Sequence, residues 1–197
     1  MPRRGLCNEE IMKAAAKLVA EKGYDNFSLR ELAARLGVQP ASLYNHVKGI
    51  DEINMKLGLR AAKLLNHRLS DAVSGRLPDE AFVSAAYAYR DFALQNPELY
   101  KALMRMPASD DEKILQAAWE SFSPMRELLF GYGADKKETV DLLRGLRSAM
   151  HGFVSLIEAG FMQHHETSTV EESYDSIIRG FLKALKTISG RERYEKI

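Results

Sequence analysis

The chain has 197 residues, of which 46% are hydrophobic and 28% charged, and its formal net charge at pH 7 is +1. This composition excludes a disordered chain, and no apolar run is long enough to span a bilayer. Cys7 is the only cysteine, which excludes an internal disulfide, and the first ten residues lack the apolar core of a signal peptide. We therefore expect a reduced, cytoplasmic protein without a membrane segment.

Charge is distributed unevenly along the chain. Residues 1–48 hold eight basic and five acidic side chains, a net +3, whereas residues 49–197 hold twenty and twenty-two, a net −2. A positive end is what contact with a phosphate backbone requires. Arg3 and Arg4 lie in the N-terminal tail, and two interpretations stay open for them: contact with phosphate or the minor groove, or a disordered terminus.

The first 48 residues predict three short helices. Asn8 is placed to cap a helix that continues to about Lys22. Its apolar side chains recur at helical spacing at Ile11, Ala15, Leu18 and Val19. Ser28 and Glu31 form a capping box at the start of the second helix, which Gly37 ends because glycine enters the left-handed conformation without a steric penalty.

A third helix is predicted to run from Pro40 to Val47, since proline suits the first turn of a helix. Leu43 and Val47 are four residues apart and face inward, which leaves polar side chains on the outside. Two short helices around a glycine turn, the second with exposed hydrogen-bonding groups, are typical of a helix-turn-helix that reads DNA. The alternative is an ordinary helical hairpin with a polar surface.

The run GVQPASLYNHVK resembles the GVS-x-x-x-LY-x-H-F/V-x-x-K signature of the tetracycline-repressor (TetR) family, and the preceding capping box and LA-x-x-LG match it too. The likeness is close over the first quarter of the chain and architectural beyond it. It implies an all-α fold of about nine helices. It also implies a helix-turn-helix DNA-binding domain at 1–48 and a ligand-binding and dimerisation domain at 49–197.

The resemblance also implies which side chains contact a double-stranded DNA operator. Tyr44 and Lys48 are expected to hold phosphates, and Arg30 is expected to touch the DNA backbone. The other expected contacts, mostly near base edges, are Gln39, Ala41, Ser42, Asn45 and His46. Many relatives carry Lys at the position of Ile50, so we expect one phosphate contact fewer here.

The rest of the chain predicts six further helices and no strand. Gly, Pro and Asn residues separate their apolar patterns. The predicted ranges are about 50–74, 79–95, 97–105, 111–130, 136–163 and 170–189. A loop is expected at 107–111, and Pro124 is expected to disturb the helix that contains it.

The helix predicted at 136–163 carries a stripe of small residues beside a bulky one. Its segment MHGFVSLIEAG resembles the HG-containing helix of one branch of TetR-family ligand domains, with Met150 where Trp or a similar residue is usual. Family resemblance places this helix and the last one in a four-helix homodimer interface; the alternative is packing inside one monomer. The predicted interface residues are Gly145, Ser148, Gly152, Ser155, Ala159, Ile178, Phe181 and Leu185.

Large soft side chains in the body predict a mostly apolar cavity for a small apolar or aromatic effector. Its predicted lining is Tyr100, Met104, Trp119, Phe122, Met150, His151, Phe153 and Ile157. Tyr100 or His151 would serve as a polar group for orientation, although a structural hydrogen bond is the alternative role for His151.

Neither catalysis nor metal binding is predicted. The pair His165-Glu166 lacks the second His of a zinc-protease motif, because that position is Thr169, and we expect His164 and His165 to be solvated. No phosphate loop, nucleophile elbow or cofactor motif is present.

The predicted function is a dimeric TetR-like regulator, a repressor released by a small molecule. The alternative is a helical module that binds DNA or protein without such an effector.

Overall fold

The computed structural model describes residues 6–106, 111–162 and 167–194, and over these ranges the chain is all-α, with ten helices and no strand. Arg3, Arg4, His164, His165 and most of the predicted loop at 107–111 lie outside them. The helices are α1 (Asn8–Lys22), α2 (Leu29–Leu36), α3 (Pro40–Leu43), α4 (Ile50–Val73), α5 (Pro78–Gln95), α6 (Pro97–Met104), α7 (Glu112–Glu120), α8 (Ser123–Gly131), α9 (Lys136–Glu158) and α10 (Val170–Tyr194). No described helix is both long and apolar enough to cross a bilayer.

The tenth helix arises at the predicted disturbance. The helix expected at 111–130 is two helices, because the chain leaves helical geometry at Phe122 (φ −113°, ψ 14°) and Pro124 lies in the first turn of α8. Proline has no N–H for a helical hydrogen bond and its ring collides with the carbonyl four residues before it, so a helix restarts at this position more easily than it continues.

Several helix ends differ from the prediction, three of them at α1, α9 and α10. Cys7, not Asn8, is the N-cap of α1, and its N–H donates to Glu10 Oε2 at 3.3 Å. α9 ends at Glu158 rather than at residue 163, because Gly160 adopts a left-handed φ of 77° and the N–H of Phe161 turns back to the carbonyl of Leu156. Tyr194 ends α10, five residues later than expected.

Packing divides the chain into two compact units. The first falls within Met1–Leu64 and Asn96–Trp119, and the second within Leu65–Gln95 and Glu120–Ile197. The first unit contains α1–α3, which we call the head, together with the first part of α4, all of α6 and most of α7. The head shares its core with residues that follow residue 48. The predicted domain boundary after residue 48 therefore remains a prediction about function.

A single apolar core holds the first unit together. Ile11, Leu32, Leu43 and Ile53 are fully buried in it, so each of the head helices and α4 contributes at least one side chain. Ala102 of α6 belongs to the same core. Side chains from five helices meet in this core. The short α3 is therefore stabilised by packing and not by its length.

In the second unit α5 lies against α8, α9 and α10. Its large buried side chains include Phe82, Tyr89 and Phe92. The ring of Tyr89 lies 5.5 Å from that of Phe122, and the rings of Phe153 and Tyr174 are 5.0 Å apart. Leu146, Met150 and Phe153 of α9 are therefore part of the core of this unit.

Candidate nucleic-acid interface

The start of α2 is fixed by the predicted capping box. The Ser28 N–H donates to Glu31 Oε2 at 2.9 Å, and the Glu31 N–H donates to Ser28 Oγ at 3.3 Å. The ammonium of Lys22 and the Ser28 hydroxyl both bond the same carboxylate, which lowers the pKa of Glu31. The end of α1 and the start of α2 are therefore held at one point.

The turn between α2 and α3 depends on Gly37, which has φ 67° and ψ 28°. The N–H of Val38 donates to the carbonyl of Ala33 at 3.0 Å, and that of Gly37 to Ala34 at 3.1 Å. These two bonds satisfy carbonyls that the end of a helix leaves free, and they require a left-handed residue at Gly37. The glycine thereby sets the direction in which α3 leaves α2.

The recognition segment, residues 39–48, has a shorter regular helix than predicted. α3 ends at Leu43 rather than at Val47, although the N–H groups of His46 and Val47 still donate to the Leu43 carbonyl at 2.8 and 2.9 Å. Leu43 and Val47 are buried, as their spacing predicts. These two side chains anchor the segment on the head core.

The predicted DNA contacts lie on the outside of this segment. Tyr44 keeps 59% of its surface exposed. Ser42 and His46 are half-buried. The exposed members of the predicted set are Arg30, Gln39, Ala41, Tyr44, Asn45 and Lys48.

The cations of the head fall into two groups. Lys13, Lys22 and Arg35 are paired with carboxylates of the head, Arg35 with Glu21 through bonds that include one of 2.9 Å. Among the residues that the structure describes, the side chains of Lys17, Arg30 and Lys48 form no such pair. Arg30 and Lys48, the two cations that the resemblance assigns to phosphate, are thus outside the ion pairs of the head.

Glu52 is a residue of this region that the sequence analysis missed. Its carboxylate accepts the backbone N–H of Lys48 at 2.7 Å and pairs with Lys56, also at 2.7 Å. The signal that could have revealed it is an acidic residue in the first turn of α4, where free N–H groups attract a carboxylate.

The predicted effector residues are divided between the two units, and their role in a cavity stays a prediction. Tyr100, Met104 and Trp119 belong to the first unit, and the other five to the second. Trp119 is 45% exposed. The buried members are Tyr100, Phe122, Met150 and Phe153, and the half-buried ones are Met104, His151 and Ile157.

The structure has an open groove of about 680 Å³ elsewhere in the second unit, between the start of α5, the end of α8 and the last part of α10. None of the predicted effector residues is among its described lining. Asp79 in this groove accepts a hydrogen bond from the Tyr132 hydroxyl at 2.7 Å and pairs with Lys186. Lys186, followed by Tyr132, lowers the pKa of Asp79, while burial and this hydrogen bond raise the pKa of Tyr132.

The predicted dimer residues also divide into two groups. Gly145, Ser148 and Ala159 are exposed, and Gly152, Ser155 and Phe181 are half-buried. Ile178 and Leu185 are 0% and 1% exposed, so their side chains serve the core of the second unit and are not available to a partner. Of the three predicted interface residues of α10, only Phe181 remains partly accessible.

Sequence comparisons agree with this geometry. Residues 11–53 match the family model described as "Bacterial regulatory proteins, tetR family", and residues 82–181 match "Tetracyclin repressor-like, C-terminal domain". The chain is 34% identical to the uncharacterized HTH-type transcriptional regulator YobS of Bacillus subtilis (strain 168), over 93% of this chain and 95% of the relative. It is 31% identical to the uncharacterized HTH-type transcriptional regulator Rv0681 of Mycobacterium tuberculosis, over 84% of this chain and 76% of the relative.

Solved structures share the fold. A Rhodococcus sp. RHA1 protein of unknown function superposes with a TM-score of 0.79 at 19% identity, covering 94% of this chain and 98% of the other. SCO7222, a TetR from Streptomyces coelicolor, superposes with a TM-score of 0.73 at 16% identity, covering 93% and 99%. From the matching family models and the two curated relatives, the chain belongs to the TetR family of bacterial helix-turn-helix transcriptional regulators, which are not enzymes.

Proposed function

We propose that the protein is a homodimeric repressor that binds a palindromic operator and is released by a small apolar or aromatic effector. The observation that carries the DNA-binding part is the exposed recognition segment between two unpaired cations, Arg30 and Lys48. Paired cations contribute little to phosphate affinity, because their charge is already compensated, whereas free ones release counterions on binding.

The dimer is supported by the accessible face of α9. A Cβ added at Gly152 would meet nothing within 4 Å, so the space beside this residue is open. Leu156, on the same helix, is 44% exposed. Small residues next to exposed apolar ones allow a second helix to approach closely and bury apolar surface.

The effector part rests on side-chain chemistry. The second unit buries Phe122, Met150 and Phe153, and Met with aromatic side chains adapts to apolar ligands. Release requires only that the effector bind the DNA-incompetent state more tightly, by a few kcal/mol.

The test starts with selection of binding sites from a random duplex pool by the wild-type protein. A palindromic consensus, with affinity that falls as salt rises, is the expected result; a pool that yields no consensus would contradict operator binding. Neutral aromatic compounds are then screened through Trp119 fluorescence. An effector must lower DNA affinity by the same factor by which DNA lowers effector affinity. If every compound that changes the fluorescence leaves DNA binding unaltered, effector release through this site is wrong.

A further inference from the structure

The open groove of the second unit has the size of a small-molecule site. Its volume of about 680 Å³ lies within the range of roughly 300–1,000 Å³ that is usual for ligand pockets. The start of α5, the end of α8 and the last part of α10 form its walls, and all three belong to one compact unit. Since it shares no described lining residue with the predicted effector cavity, it can serve a separate ligand.

Two glycines leave space in this groove. A Cβ added at Gly131 or at Gly190 would meet nothing within 4 Å, and neither residue has a positive φ. Neither glycine is therefore required by its backbone conformation or by close packing among the described residues. Their effect is to keep the groove open to a bound molecule.

The polar part of the groove is an anchored carboxylate. Oδ1 of Asp79 accepts the Tyr132 hydroxyl at 2.7 Å, and Tyr132 itself is only 6% exposed. Oδ2 of Asp79 faces the ammonium of Lys186. Lys186, followed by Tyr132, lowers the pKa of this carboxyl, so it is ionised at neutral pH. One oxygen is thus fixed by a buried residue, whereas the other is paired with a side chain at the surface.

The pair between Asp79 and Lys186 is open to exchange. The two side chains are 44% and 55% exposed, and an ion pair at such exposure contributes little to stability. A ligand cation that displaced Lys186 would leave that ammonium without its carboxylate, and a lone anion on Lys186 would also face Glu80 in the same groove. A zwitterion supplies a partner for each member of the pair, so neither charge is left unpaired.

We propose that this groove binds a small zwitterion of the free α-amino acid class, with its ammonium on Asp79 and its carboxylate on Lys186. The groove is much larger than the charged part of such a molecule, so it has room for an apolar side chain. Leu77, which is 70% exposed, and Pro78 supply apolar surface for that side chain. The inference depends neither on an operator nor on the apolar effector of the proposed function, because it concerns other residues.

The test is nuclear magnetic resonance of the isotope-labelled full chain, titrated with L-leucine. The amide signals of Gly131 and Gly190 should shift in a saturable way, whereas those of Gly37 and Gly49 in the first unit should not. Leucinamide lacks the carboxylate and N-acetyl-leucine lacks the ammonium, and each should need at least about tenfold more ligand for half-saturation. The amino acid glycine, which offers no apolar side chain, should also bind more weakly than leucine.

Variants of the full chain test the assigned contacts. Asp79→Asn and Lys186→Gln should each weaken leucine binding by at least about tenfold. Lys137→Gln is the matched control, since Lys137 forms an exposed pair with Asp141 at 2.7 Å in the same unit and is not among the described groove lining, so its affinity should stay that of the wild type. Gly131→Leu keeps both charges but fills the groove, so it should lose binding too. Circular dichroism checks that each variant remains helical.

Four results would overturn the proposal. The absence of a saturable shift with leucine would show that the groove does not hold this class of ligand. Equal half-saturation for leucine and either blocked compound would show that only one charge is recognised, and equal binding of the amino acid glycine would refute the apolar contact. Unchanged leucine binding in Asp79→Asn, or in a helical Gly131→Leu, would place the site elsewhere.

Discussion

The backbone N–H of Lys48 donates to Oε2 of Glu52 across 2.7 Å, at the junction between the recognition segment and α4. This bond, followed by the pair with Lys56, lowers the pKa of Glu52. The Glu52 carboxylate therefore holds the backbone of Lys48, while its charge is compensated by Lys56. The side chain of Lys48 projects from a fixed point and keeps its charge for a partner.

Lys48→Ala should weaken binding to all DNA sequences without changing which sequence is preferred. A phosphate contact releases about one counterion, so the slope of log affinity against log salt should fall in magnitude by about one. The bond to Glu52 uses the backbone and survives the substitution, so the fold is preserved. Fluorescence anisotropy with the selected operator at several salt concentrations measures the slope.

Lys13→Ala is the control for this experiment, because Lys13 is an exposed cation of the same head that pairs with Glu9. Its slope should remain that of the wild type. Should both variants change the slope equally, the effect would come from net charge alone and Lys48 would lose its assigned contact.

Gly37→Ala should destabilise the head by about 1–2 kcal/mol, since an L-residue pays that amount to adopt the left-handed conformation that φ 67° requires. A Cβ at Gly37 would meet nothing within 4 Å, so the cost is conformational and not steric. Gly49→Ala is the matched control: its surroundings are equally open, and its φ is not positive. Urea unfolding compares the two, and equal midpoints would show that the turn tolerates a side chain.

Local signals predicted both ends of α2. The Ser28–Glu31 box and Gly37 act through bonds three to five residues long, which are visible in the sequence. Leu43 and Val47 follow from spacing alone, and both are buried. The same local reasoning located the break near Pro124 but read it as a disturbance within one helix.

Long-range contacts were beyond such reasoning. Glu98 bonds a residue 74 positions earlier, and nothing in the α6 sequence marks it for that partner. Ile178 and Leu185 share the wide apolar stripe of α10 with Phe181, and periodicity alone does not separate core from surface within a wide stripe. The exposure of Trp119 likewise depends on how α7 packs, which its own sequence does not determine.

Acid should weaken the second unit through Asp79. Because Lys186 and Tyr132 hold its folded pKa below the ordinary value, its contribution is present above a pH of about 4 and is lost as the pH falls through the folded pKa. The Asp79 side chain is 44% exposed, so this contribution is at most about 1 kcal/mol.

Asp79→Asn should lower the urea midpoint at neutral pH and approach the wild-type midpoint in acid, once the pH has fallen through the folded pKa and the wild-type carboxylate is also neutral. Tyr132→Phe removes one of the two partners of Asp79, the hydroxyl at 2.7 Å. At neutral pH its urea midpoint should lie between those of the wild type and Asp79→Asn. A gap between wild type and Asp79→Asn that is the same at both pH values would rule out this titration.

Gly152→Leu should convert the proposed dimer to monomers. Its own chain has room for a side chain, since a Cβ there would meet nothing within 4 Å, so the monomer fold is expected to persist. Overpacking costs about 1–3 kcal/mol per site, and a symmetric interface contains the residue twice. Gly131→Leu is the control, because Gly131 is equally open but lies at the end of α8, outside the predicted interface. Light scattering and circular dichroism separate loss of the dimer from loss of the fold, and a helical, wild-type-like dimer for Gly152→Leu would place the interface elsewhere.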